Sequence, residues 1–84
     1  MYEIYLISHG TEKKIGSAMS EETAKNIAYD FMNRLEGNGR KWLEVYGIHL
    51  NSAAEYNRFK NDVEISVWKL DENGKLSEPV ELDD

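Results

Sequence analysis

His9 and His49 are the residues of this chain with the widest chemical reach. Each lies near the carboxyl end of a stretch rich in strand formers. On parallel neighbouring strands the two imidazoles would converge and, with a nearby Glu, could hold a metal ion. Their spacing matches no metal motif, so the expectation is no metal and no cofactor, with a His9/His49 metal protein or small enzyme kept as a further alternative. Ser8 and His9 are adjacent, and adjacent strand residues point to opposite faces, so they cannot act as a nucleophile–base pair. The run Gly37-Asn38-Gly39-Arg40-Lys41 places two bases in a glycine loop. A phosphate cradle needs strand, glycine turn and then a helix amino terminus, whereas this loop follows a helix. With 16 acidic side chains in 84 residues, no carboxylate pair stands out for acid–base work. The chain has no cysteine, which excludes thiol catalysis, disulfides and cysteine metal sites. The expectation is a protein that is not an enzyme.

The elements that position these residues follow from periodicity. Ser20 is placed to cap a helix from about Glu21 to Leu35, with Glu21 and Glu22 favourable to its dipole. Ala24, Ile27, Ala28, Phe31, Met32 and Leu35 form one stripe of helical period. Glu21→Lys25 and Asp30→Arg34 are acid-first pairs four apart on the wet side. Tyr2–Ser8 is a strand, His9-Gly10-Thr11 a turn, and Ile15–Met19 a short returning strand. Trp42–Leu50 and Val63–Leu70 supply two further long strands. Asp71-Glu72-Asn73-Gly74 is a turn leading to an edge strand Lys75–Val80, where Pro79 is tolerated. Residues 51–61 are open to two readings, a short helix capped by Ser52 and carrying Ala53, Tyr56 and Phe59, which is preferred, or an irregular connection. The expected class is α+β, as a single domain over 1–84. Its sheet is small and mainly antiparallel, with four to five strands and one long helix packed on one face, in the order β-β-α-β-(short α)-β-β.

Alternation divides the three long strands into two faces. Ile4, Leu6, Leu43, Val45, Val63, Ile65 and Val67 are the partners expected for the helix stripe. The opposite face is expected to carry Glu3, Tyr5, Ile7, Trp42, Glu44, Tyr46, Ile48, Glu64 and Trp68. One helix covers one face, so the aromatic face is exposed, covered by Tyr56 and Phe59 from 51–61, or buried against a partner. Its charges are glutamates, which repel phosphate, so direct nucleic-acid binding is not expected.

The charge of −6 is unevenly spread. Through Asn61, eight acids and eight bases cancel; from Asp62 onward eight acids, among them Asp71, Glu72, Glu78 and Glu81, face only Lys69 and Lys75. The acidic hairpin and tail from about 62 can steer a basic partner or simply guard a sheet edge. No apolar run approaches the ~20 residues of a membrane span. The amino terminus lacks the basic and apolar regions of a signal peptide, so a cytoplasmic protein is expected.

Together these features point to a small acidic protein-binding protein. Its expected contact residues are Tyr5, Trp42, Tyr46, Trp68, Glu44, Glu64, Asp71, Glu72, Glu78 and Glu81. The aromatics would anchor the partner and the acids would select a basic surface. Basic surfaces commonly serve nucleic acid, so an inhibitor of phage or mobile-element type that occupies such a surface is the specific form expected. The alternative is a homo-oligomeric structural or regulatory subunit that uses the aromatic face as its dimer interface.

Overall fold

A computed structural model of the protein describes residues 1–82. Its elements are β1 (Tyr2–Ser8), β2 (Thr11–Ala18), α1 (Glu21–Gly37), a 3-10 helix (Lys41–Tyr46), α2 (Ala53–Asp62), β3 (Glu64–Leu70) and β4 (Leu76–Val80). The four strands form one sheet in the order β2-β1-β3-β4, and every neighbouring pair is antiparallel. The fold is α+β with α1 packed across β1, β2 and β3.

Local chemistry sets the boundaries. The Ser20 hydroxyl accepts the Thr23 backbone N–H at 3.2 Å and starts α1, and the helix closes with the Asn38 N–H on the Arg34 carbonyl. Lys25–Glu21 at 3.6 Å and Arg34–Asp30 at 3.0 Å brace its wet side. Ser52 caps α2 in the same way, accepting the Glu55 N–H, as its position in the sequence predicts. His9 and Gly10 both carry positive φ, 50° and 78°, so the β1–β2 hairpin closes in two residues and β2 runs longer than the predicted Ile15–Met19. In the β3–β4 turn the Asp71 carboxylate accepts the Asn73 and Lys75 N–H groups, each at 2.9 Å. Gly74 there takes a φ of 79°, a left-handed value.

The core lies between the sheet and α1 in two adjoining clusters. Ile4, Ala18, Ala24, Ala28 and Val67 form the first, and Leu6, Phe31, Leu35 and Leu43 form the second. Between Ile4 and Tyr5 the β1–β2 register shifts, so Gly16 and Lys14 pair with β1 while Ile15 bulges. The bulge lets Ile15 touch both clusters.

One expected strand is absent. Trp42–Leu50 forms the 3-10 helix Lys41–Tyr46 followed by irregular chain, so the sheet has four strands and the third long strand is β3. Gly47, with a φ of 77°, ends the 3-10 turn. The physical reason lies in packing. A turn brings Trp42 and Tyr46 onto the same side, where both rings meet Phe31 edge-on with centroids 5.0 and 5.4 Å away. Trp42 also donates its indole N–H to the Gly39 carbonyl at 2.8 Å. Leu43 is fully buried as expected, whereas Val45, assigned to the core by strand alternation, is 86% exposed. Val63 caps α2 ahead of β3 and packs partly on the second cluster.

Candidate functional site

The strand registers define a sheet face with no helix on it. With Ile4, Leu6, Ile65 and Val67 turned toward α1, the alternate residues Glu3, Tyr5 and Ile7 of β1 point to the other side. Opposite them stand Ser17, Lys14 and Glu12 on β2, and Trp68, Ser66 and Glu64 on β3. Pro79 of β4 stands across from Trp68. Tyr5, Ile7 and Trp68 belong to neither core cluster and are half-buried against their neighbours on this open face. Tyr5 and Trp68 are diagonal neighbours across β1 and β3, with the small side chain of Ser66 directly opposite Tyr5.

A charged network fixes the middle of the face. The Tyr5 hydroxyl donates to Glu3 Oε1 at 2.7 Å, and Lys14 Nζ lies 2.7 Å from Glu3 Oε2. The hydrogen bond from Lys14, then that from Tyr5, holds the Glu3 carboxyl below its ordinary value. The same Glu3 contact, with burial second, raises the Tyr5 hydroxyl. Lys14 is a cation that strand alternation alone did not place here; the bulge at Ile15 and the register of β2 bring it beside Tyr5. Glu3 neutralises it locally. Glu12 and Glu64 remain exposed and without an ion pair among the described residues.

The expected contact residues therefore divide. Tyr5, Trp68 and Glu64 share the open face. Trp42, Tyr46, Glu44 and Ile48 do not, because they lie on the 3-10 helix and the chain after it, on the α1 side of the sheet. Glu44 sits 3.6 Å from His49 instead. Tyr56 and Phe59 also pack on the second cluster, and the Tyr56 hydroxyl donates to the Leu35 carbonyl, so α2 leaves the open face uncovered. Glu72 and Glu78 are exposed on the β3–β4 hairpin and Glu81 follows it, while Asp71 is occupied in closing the turn. Asp83 and Asp84 of the acidic tail lie outside the described residues.

The histidines are held apart by different partners. His9 Nδ1 lies 3.0 Å from Asp62 Oδ2, and His49 stands off the sheet beside Glu44. Among the described residues no group of three or more His, Cys, Asp or Glu could hold a metal ion. None of their helices is long and apolar enough to cross a membrane. No protein-family model, curated protein or solved structure matches the chain.

Proposed function

We propose that this chain is a non-catalytic protein-binding module that docks a basic partner through the open sheet face and the adjoining β3–β4 hairpin. The observation that carries this reading is the uncovered pair Tyr5 and Trp68 beside unpaired Glu12 and Glu64. Tyrosine and tryptophan are the anchors that dominate interfaces, and surrounding acids favour a cationic partner. The Tyr5–Glu3–Lys14 network supports it further, because side chains already fixed lose less entropy on binding.

The sheet edges favour docking by the face. β4 is five residues long and contains Pro79, and β2 is bulged and carries Lys13 and Lys14. Such features discourage a further strand from adding to the sheet. Self-association through the same face is the weaker alternative. A two-fold interface sets one surface against its own copy, and here both copies bring net negative charge. A partner whose basic surface ordinarily holds nucleic acid fits best, which makes the module an inhibitor by occupancy, of the type phages and mobile elements use.

The test is affinity capture at low and moderate salt, with Trp68→Ala as control, combined with light scattering. The expected outcome is a monomer that retains a nucleic-acid-handling protein only as wild type and more strongly at low salt, since screening weakens exposed charge contacts. A dimer that Trp68→Ala dissociates would replace this reading with self-association.

A further inference from the structure

A second surface, independent of the open face, carries a different chemistry. Between the β1–β2 turn and the carboxyl-terminal half of α2 lies an open cleft of about 640 Å3, a size suited to a small ligand. Leu50 and Phe59 form its apolar floor, and His9, Glu55, Arg58 and Asp62 stand around it. The charged groups are not equivalent. Asp62 is paired with His9 at 3.0 Å, and Glu55 Oε2 accepts the Asn51 backbone N–H at 2.8 Å. Arg58 stands three residues after Glu55 and four before Asp62 on the same helix, yet it makes no ion pair or side-chain hydrogen bond among the described residues. Both acids within its reach along α2 have other partners, and Arg58 lines the cleft together with Leu50 and Phe59.

We propose that this cleft binds a small monocarboxylate with an aromatic or branched aliphatic body. A guanidinium presents paired N–H donors that match the two oxygens of a carboxylate. The body of the ligand would lie on Leu50 and Phe59, exchanging water for apolar contact. A dianion such as phosphate fits less well, because Glu55 and Asp62 carry two negative charges against the single cation Arg58 and would repel the larger charge more strongly. The charge of Arg58 therefore selects the anion, and the floor selects the apolar group.

The experiment is a titration of the full chain followed by amide nuclear magnetic resonance, using phenylacetate and its uncharged analogue 2-phenylacetamide. Phenylacetate is expected to produce saturable shifts at Leu50, Arg58 and Phe59, with the amide binding about tenfold more weakly, the worth of one charge-assisted contact. Arg58 is exposed, so Arg58→Gln leaves the fold intact and is expected to erase the difference between the two probes. Trp68→Ala is expected to leave phenylacetate binding unchanged. Equal affinity for acid and amide, a difference that survives Arg58→Gln, or no saturable shift up to about 10 mM would overturn the proposal.

Discussion

Trp42 and Trp68 have similar sequence surroundings and opposite fates. Each sits in an alternating run with a glutamate and other apolar residues nearby, and alternation assigns both to one aromatic face. In the structure Trp42 closes over Phe31 on the α1 side, its indole N–H bonded to Gly39, whereas Trp68 lies in β3 on the uncovered side. The difference arises from what each run pairs with. Residues 64–70 find β1 on one side and β4 on the other, and the ladder enforces alternation. Residues 41–46 find no strand partner. Their apolar side chains instead collect on one side of a turn, over a core that α1 alone does not close.

The largest expected effect tests the covered side. Phe31 is 3% exposed and is the ring against which both Trp42 and Tyr46 pack. Phe31→Ala is expected to cost about 3–5 kcal/mol in denaturant unfolding, the range for a buried aromatic truncated to alanine. A cost below about 1 kcal/mol would mean that the 3-10 helix does not pack as described.

The two tryptophans then give the direct comparison. Trp42→Ala is expected to cost about 2–3 kcal/mol, less than a fully buried ring because Trp42 is half-buried, though it packs on Phe31 and the second cluster. Trp68→Ala is expected to cost about 1 kcal/mol and to abolish partner binding while cooperative unfolding persists. If Trp68→Ala proves the more destabilising, Trp68 is core and the open face is not a binding surface.

The sequence showed the fold class and the covered helix more clearly than the make-up of the open face, for physical reasons. The α1 stripe spans twelve residues from Ala24 to Leu35, enough for helical period to dominate, and Ala24, Ala28, Phe31 and Leu35 are all buried. Pro79 marked an edge because it cannot donate to a ladder, and β4 is an edge. Trp42–Leu50 misled because strand propensity describes a half-buried surface, and a 3-10 turn packed on the core offers one too. Gly47 was the available signal, since a glycine inside an apparent strand weakens it and suits the left-handed end of a turn. Lys14 on the open face was hidden for another reason. Its placement depends on a one-residue bulge at Ile15, which period-two counting does not register.

A smaller effect concerns the hairpin that adjoins the open face. Glu72→Gln, Glu78→Gln and Glu81→Gln together are expected to slow association with a basic partner by about tenfold at low salt and to leave the unfolding midpoint nearly unchanged. Asp71 is left intact in this variant because its carboxylate closes the turn, and replacing it would confuse charge with folding. Unchanged association kinetics would confine recognition to the face and make the hairpin a solvated edge.

The smallest effect probes the network that holds Tyr5 in place. Contacts from Lys14 and Tyr5 keep the folded-state Glu3 carboxyl below its ordinary value. Such a group adds stability at pH above its unfolded value, and that stability is lost as pH falls through the lowered folded value. Lys14 is half-exposed, so its share is a few tenths of a kcal/mol, the scale of an exposed ion pair. Lys14→Gln is expected to be less stable than wild type by about that amount near neutral pH, with the gap closing as Glu3 becomes protonated in acid. Tyr5 still donates to Glu3 in this variant, so the open face keeps part of its order and partner binding weakens only slightly. A gap that stays constant from neutral to acid pH would mean that Lys14 acts through packing of its alkyl chain, and that the charge on Glu3 does not fix the face.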